Sequence, residues 1–415
     1  MGTPDLLFLA HRIPYPPDKG DKIRSFHFLD GLSRHYRIHL GAFVDDPQDL
    51  VHVERLRPYC HSLYLPRLRP WAGQLRGVPA ALRGAPLSLA RYEHTRFARW
   101  VGQTLQQYEV KRVFAFSSAM GRYGLSATQH PVRRVMDFVD VDSEKWRQYA
   151  GQAKGPMRLV YEREHRTLAA EEAYLAVAYD TGLFVSEEEA RLFHRCNPEL
   201  DDRIRAVGNG VDLDYFNPAL PHADPFPAEG DDIVFTGAMD YQANVDGVVW
   251  FCREVWPQVR AALPAARFHI VGQRPVPAVR SLAQEFDGVT VTGRVLDVRP
   301  YLAHAGAICA PLRVARGVQN KVLEALAMDR PVVGTEAAWE GLGVFDAVLG
   351  DRVDEPDAFA RALVVRLRGT TLSEAGVRRR LIGQRFSWTH SLEQLLSLLE
   401  GDVQEPGELQ QAVAR

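Results

Sequence analysis

Short apolar runs alternate along this chain with longer stretches in which apolar positions recur every third or fourth residue. The runs read as strands at residues 6–10, 37–44, 112–116, 133–138, 183–185 and 205–207 in the first half. In the second half they lie at 233–236, 268–271, 289–291, 307–310 and 331–334. Between most of them the spacing predicts amphipathic helices. One is marked by Val245, Val248, Val249, Cys252, Val255 or Trp256, Val259 and Leu263. Pro257 falls inside that pattern and predicts a kink or a break. Strand–helix alternation of this kind predicts an α/β protein with parallel sheets covered on both faces.

The series runs twice. A polar stretch with four prolines, residues 217–230, separates the copies and reads as a linker. The expected organisation is therefore a domain at 1–216 and a second at 217–385. A last amphipathic helix at 386–400 would pack back on the first domain, ahead of a polar tail at 401–415. Two doubly wound, Rossmann-like domains facing a cleft would place ligands beyond the carboxyl ends of their strands.

Composition excludes wholesale disorder: 46% of the 415 residues are hydrophobic and 25% are charged. A net charge of −2 gives no sign of a nucleic-acid partner. The charge is uneven, with 28 Lys/Arg against 23 Asp/Glu in residues 1–200 and 22 against 29 in the remainder. Residues 55–100 hold nine arginines and one acid, Glu93, interleaved with Trp71, Tyr92, Phe97 and Trp100. That segment reads either as a solvated arginine-rich surface or as a peripheral contact with anionic lipid. The four cysteines are far apart and form no CxxC pair, as in a cytosolic protein. The apolar run at 6–10 is broken by His11 and Arg12, and no apolar run is long enough to span a membrane. A cytoplasmic protein, at most peripheral at the inner face of the membrane, is the expectation.

Candidate chemistry sits at strand ends. The strand at 6–10 leads through a proline-rich loop to Gly20, where a helix starting near Asp21 offers backbone N–H groups to an anion. Asp140 and Asp142 follow the strand at 133–138, as cleft carboxylates or as ordinary turn and cap residues. Their D-x-D spacing recurs at Asp212 and Asp214, so no metal site is predicted. Asn209-Gly210 reads as a tight turn. Gly272 and the string Gly293-Arg294-Val295 close strands where a flat base would meet little side-chain obstruction. The richest stretch is 311–333. After a strand ending at Pro311 come Arg313, Arg316, Gly317, Val318 and Gln319, then a helix from about Val318 carrying Lys321 and Glu324. A helix start, a lysine and arginines together suit a diphosphate. A carboxylate, being only an acceptor, suits sugar hydroxyls.

The strings AHRIPYPPDKGDKIRS, MDFVDVDSEKWRQYA, VGNGVDLDYFNP, VFTGAMDYQANVDGVVWF, VTGRVLDVRPYLAHA and ARGVQNKVLEALAM together resemble the GT-B-fold glycosyltransferases of family 4. Within that family the chain is similar to bacterial sugar transferases associated with PEP-CTERM-type exopolysaccharide clusters. The resemblance implies a nucleotide-diphosphate sugar donor held mainly by the second domain, no metal or other cofactor, and a polyprenyl-linked or glycan acceptor. It implies that Glu324 binds the ribose, that Gly317, Val318 and Gln319 touch sugar and phosphates, and that Arg294 and Val295 meet the base. Gly20 would lie beside the diphosphate, with Asn209 and Gly237 in the donor site. Asp140, Asp142, Arg316 and Lys321 are the candidates for the chemical step. Two departures stand out. Arg316 occupies the place of the first Glu of the family's E-x7-E motif. The string from Gly237 to Asn244 carries none of the cations usual there, so Lys321, with Arg313 or Arg316, is expected to supply the charge. A nucleotide-sugar epimerase and a non-catalytic sugar-nucleotide or glycan-binding component are the competing readings.

Overall fold

The computed structural model describes residues 2–17, 20–68, 83–226, 230–315, 318–342, 348–369 and 376–401. They form two compact units. The first is Met1–Gly208 with the chain from Ser391 onward, and the second is Asn209–His390.

The first unit is built on seven parallel strands: β1 (Asp5–Ala10), β2 (Arg37–Ala42), β3 (Ser62–Tyr64), β4 (Arg112–Phe116), β5 (Arg133–Val139), β6 (Thr181–Phe184) and β7 (Ile204–Ala206). Their order is β3-β2-β1-β4-β5-β6-β7. The second has six: β8 (Asp232–Thr236), β9 (Arg267–Val271), β10 (Val289–Gly293), β11 (Ala307–Ala310), β12 (Val332–Gly334) and β13 (Gly350–Arg352). These are ordered β10-β9-β8-β11-β12-β13, again all parallel. The order reverses beside β1 and beside β8, which makes the carboxyl ends of those two strands the natural ligand edges.

All the strands expected from the apolar runs form, within two residues of their expected bounds. β3 and β13 were not foreseen. Both are three-residue edge strands, and Gly350-Asp351-Arg352 has no apolar side chain to announce it. The helix around Pro257 does not break. It runs as Gln242–Trp250, a single wide π turn at Phe251–Val255, then Trp256–Ala262. The wide turn directly before the proline takes up its missing N–H and its ring.

The units divide at Gly208/Asn209 and His390/Ser391, where the sequence had suggested 216/217 and 385/386. Residues 209–216 are fastened to the second unit. Val211 N–H donates to Phe386 O at 2.6 Å, and Arg379 reaches the Ala327 carbonyl at 2.9 Å and that of Leu213. Gly210 is there for close approach, since a Cβ would lie 2.2 Å from Trp388 N. The proline-rich stretch also belongs to this unit: Phe226 stacks on His269, ring centres 4.5 Å apart. The last helix, Trp388–Glu400, straddles the division. From Ser391 on it sits in the first unit, with Leu395 and Leu399 buried and Arg112 and Arg133 donating to the carbonyls of Leu399 and Leu398. Tail residues 402–415 lie outside the described residues.

One device occurs in both sheets. Asp5 opens β1 and receives a two-pronged bond from Arg37, its register partner on β2 (2.6 Å each), and a third bond from His39 at 2.8 Å. Asp232 opens β8 and receives the same from Arg267 (2.8 and 2.7 Å) and His269 (2.7 Å) on β9. In each aspartate burial pushes the carboxyl up, but the arginine and histidine outweigh it and hold it below its ordinary value. Asp21 behaves likewise. Burial opposes its charge, yet the His11 bond and the Arg12 guanidinium at 3.1 Å bring it down to about 2. A carboxyl depressed on folding adds stability above its unfolded value of about 3.9, and that stability is lost as pH falls through the folded value. The thermal midpoint, followed by circular dichroism, is therefore expected to drop between about pH 4 and about pH 2. Asp21→Asn should flatten that slope.

Candidate active site

At the carboxyl end of β8 the backbone is drawn close to its neighbours. A Cβ on Gly272 would stand 1.6 Å from the Gly237 carbonyl oxygen, and one on Gly237 only 2.6 Å from Asn244 Nδ2. Glycine at both places lets the ends of β8 and β9 meet. Asn244, on the helix Gln242–Trp250, donates from Nδ2 to the Ala238 carbonyl at 2.9 Å. Its Oδ1 is thereby turned outward and accepts from Lys321 Nζ at 2.5 Å.

Lys321 reaches this point from the helix Asn320–Ala327, which begins two residues later than the sequence suggested, with Gln319 at its N-cap and Val318 just before. That helix buries Val322, Leu323, Ala325 and Leu326. Lys321 and Glu324 share its other face, three residues apart. The Lys321 ammonium lies 4.4 Å over the Phe235 ring of β8 and would be 3.3 Å from a Cβ on Gly237. The cation absent from the string 237–244 is thus delivered to the same strand end from another element. Burial lowers Lys321 to about 8, against the opposing pull of Glu324. Burial raises Glu324 to about 7, against that of Lys321.

Tyr215, which no sequence signal singled out, stands near enough that the Glu324 charge helps push its phenol up, after burial and Asp297. The Arg299 guanidinium covers its ring at 3.8 Å and is held by Asp297 at 2.7 Å. Asn244 and Phe235 were missed as well. Both sit inside the string VFTGAMDYQAN, which carries no cation to mark it.

The other candidates are placed as follows. Arg294 is exposed just after β10, and Val295 packs its side chain partly on the core. Arg313 does not approach β8; it lies 5.1 Å from the Trp250 ring, at a cavity of about 610 Å³ shared with Glu336 and Arg352. Arg316 and Gly317 lie outside the described residues. Asn209 is the first residue of the second unit.

In the first unit Gly20 opens the helix Gly20–Ser33 with free space where a Cβ would be. Asp140 and Asp142, past the end of β5, are both held by Lys145, at 2.9 and 2.8 Å. A separate cavity of about 840 Å³ is lined by Tyr92, Tyr123, Tyr174 and Ala119, and Ser118 Oγ, buried at its wall, has no hydrogen-bond partner. Among the described residues no group of three or more His, Cys, Asp or Glu is gathered as a metal site, and no helix is long and apolar enough to cross a membrane.

In the arginine-rich segment, residues 69–82, with Trp71, lie outside the described residues. The remaining arginines are exposed, but Tyr92 and Phe97 are buried and Trp100 stacks on Tyr64. Tyr92, Phe97 and Trp100 thus face the core.

Residues 230–368 match the model of the family described as glycosyl transferases group 1. No curated protein sequence matches the chain. Among solved structures it is similar to sucrose-phosphate synthase from Thermosynechococcus elongatus, with 18% identity, 95% of this chain and 98% of that one covered, and a TM-score of 0.63. It is similar to Anabaena HepE in complex with UDP and glucose, at 15% identity, 96% and 100% coverage and a TM-score of 0.64. It is equally similar to WaaG, a glycosyltransferase involved in lipopolysaccharide biosynthesis, at 15%, 96% and 100%, and 0.64. At such identities the structural likeness establishes the fold, and the family match establishes the second unit. Together they give this chain the GT-B fold of glycosyltransferases, with a glycosyl transferases group 1 match over residues 230–368 of its second unit.

Proposed function

We propose that the chain transfers a sugar from a nucleoside-diphosphate donor to a polyprenyl-linked or glycan acceptor in exopolysaccharide synthesis, with retention and without a metal. The observation that carries the donor reading is the Lys321 ammonium held at the end of β8 by Asn244 and Phe235, with Glu324 one turn further along the same helix. Lys321 meets the diphosphate and Glu324 accepts from the ribose hydroxyls. Gly237 leaves room for phosphate oxygens, Val318 and Gln319 lie at the helix start beside the sugar, and Arg294 and Val295 border the base. Arg316, Gly317, Gly20 and Asn209 are assigned to the same donor by resemblance.

Catalysis would rest on positioning and charge. As the glycosidic bond to the donor breaks, negative charge grows on the leaving diphosphate, and a fixed ammonium stabilises it more in the transition state than in the ground state. In a retaining course the acceptor attacks from the face the diphosphate leaves, with no protein nucleophile. Asp140 or Asp142, fixed by Lys145, orients its hydroxyl. The complex of HepE with UDP and glucose, and the part of WaaG in lipopolysaccharide biosynthesis, support donor class and acceptor type by analogy of fold.

The test is nucleoside-diphosphate release from a panel of nucleotide sugars, with and without a lipid extract as acceptor source. Release that depends on both donor and extract is the expected result. Tight donor binding with no release under any pairing would overturn the transferase reading.

A further inference from the structure

We propose that the tip of the helical hairpin formed by Asp142–Gln152 and Pro156–Ala178 docks the first unit on an anionic bilayer. The inference is independent of the donor assigned above.

The two helices are anchored deep and bare at the tip. At the base, buried Glu172 accepts from Ser143 N–H at 3.2 Å and from Ser143 Oγ at 2.6 Å. At the other end the chain turns through Gly155, at φ +66, into Pro156 at the helix start. Every residue from Lys154 to Val160 is exposed. Within this short reach Tyr149 is 52%, Met157 47%, Leu159 69% and Val160 40% exposed. Four of the eleven large apolar side chains that stand in solvent among the described residues are thus gathered at one tip. Behind them Trp146, Tyr149 and Tyr161 form an aromatic cluster with ring centres 5.5 to 6.0 Å apart. Aliphatic side chains in front and Trp and Tyr behind are the order found across a lipid–water boundary.

The charge around the tip selects the partner. At the base Lys145 is paired with Asp140 and Asp142 and Arg147 with Glu144, so the tip's own cations are Lys154, Arg158, Arg163 and Arg166, against Glu162, which is paired to Arg158, and Glu164, which is buried. It is occupied in accepting from the backbone N–H groups of Leu87 and Ser88, both at 2.8 Å. That pins the loop bearing exposed Arg83 and Arg91 against the same helix. A few apolar side chains amid cations suit partial insertion beneath anionic headgroups. A stable protein interface buries roughly 800 Å² of total surface per partner, which calls for more than a few side chains at a tip. Among its described residues the arginine-rich segment at 55–100 offers charge without large exposed apolar side chains, whereas the hairpin tip offers both.

Flotation of the full-length protein with vesicles of phosphatidylcholine, alone or with one quarter phosphatidylglycerol, tests this. Each basic residue near an anionic surface multiplies partitioning about fivefold. Wild type should therefore float with the anionic vesicles, less so at high salt, and hardly with neutral ones. Leu159→Asp with Val160→Asp should lower partitioning at least about tenfold, and Lys154→Glu with Arg158→Glu should do the same. Both pairs lie on the surface, and unchanged thermal midpoints and nucleoside-diphosphate binding would show the fold intact. Wild type failing to float, or the Asp variant floating like wild type, overturns the proposal. So does loss of flotation in Arg96→Glu/Arg99→Glu with the hairpin variants unaffected. A wild-type dimer that the Asp variant dissociates without losing flotation would assign the tip to a second copy instead.

Discussion

Lys321→Ala is expected to lower kcat/KM for the sugar donor by about 10²- to 10³-fold. One charge-assisted hydrogen bond accounts for about 1.5–3 kcal/mol of donor binding, and the charge that grows on the leaving diphosphate adds a loss in kcat. The nucleoside alone should bind as before. Glu324→Ala should instead weaken nucleoside, nucleoside diphosphate and sugar donor alike, by about 10- to 100-fold. Acidity sharpens the distinction. Glu324 loses its charge as pH falls through about 7 and Lys321 loses its own as pH rises through about 8, so kcat/KM should be bell-shaped between those limbs. Lys321→Arg should abolish the alkaline limb, because a guanidinium does not titrate there. Calorimetric titration of the three ligands and a pH profile of each variant decide the matter. If both alanine variants bind the diphosphate like wild type, this is merely a surface helix.

Asp137→Ala is expected to destabilise the first unit by about 3–5 kcal/mol, a large part of the total stability of a domain. Asp137 and Arg24 are both wholly buried, joined by a 2.8 Å bond between Arg24 Nε and Asp137 Oδ2. Removing the carboxylate strands a guanidinium in the core. Burial keeps the Asp137 carboxyl above its ordinary value even with Arg24 beside it. Replacing both, as Arg24→Met with Asp137→Leu, should therefore regain most of the loss. The recovery stops short of complete because Asp137 Oδ1 also accepts from Val139 N–H, holding that β-branched residue at φ +71. Urea titration of the three variants, read on the first unit's transition, measures the coupling. A double variant as unstable as Asp137→Ala would show that the pair contributes net stability.

The contrast between these two sites shows where a sequence speaks and where it falls silent. Buried strands announce themselves because a run of apolar residues has few other uses, and the glycosyltransferase fold was legible from their alternation and from the quoted strings. β3 and β13 were not legible, since Gly350-Asp351-Arg352 has no apolar side chain and Ser62-Leu63-Tyr64 is too short an apolar run, so both rest on backbone pairing with their neighbours. Lys22 and Arg24 read as a polar helix start, yet both are buried, because their partners Asp49 and Asp137 are 27 and 113 residues away. The same holds at the active site. Lys321 and Glu324 were visible as a pair on one helix. That Lys321 ends against Phe235 and Asn244 depends on one strand and two helices converging, and no local pattern encodes that. The helix through Pro257 shows the reverse case, in which a strong local rule is absorbed by one widened turn.

The paired aspartate, arginine and histidine at the amino ends of β1–β2 and β8–β9 separate two properties that enzymes often have to trade against each other. Each sheet is locked at its amino edge, away from the carboxyl strand ends to which the donor is assigned in the proposal above, by charges outside that proposed site. On that proposal, heat tolerance is tunable at Asp5 or Asp232 separately from substrate preference at Gly237, Asn244 or Arg294. The lock is also self-contained in each half, with Asp5, Arg37 and His39 in one and Asp232, Arg267 and His269 in the other. A donor half built this way carries its own fastening when it is exchanged between chains, which makes it a portable module for recombining donor and acceptor specificities.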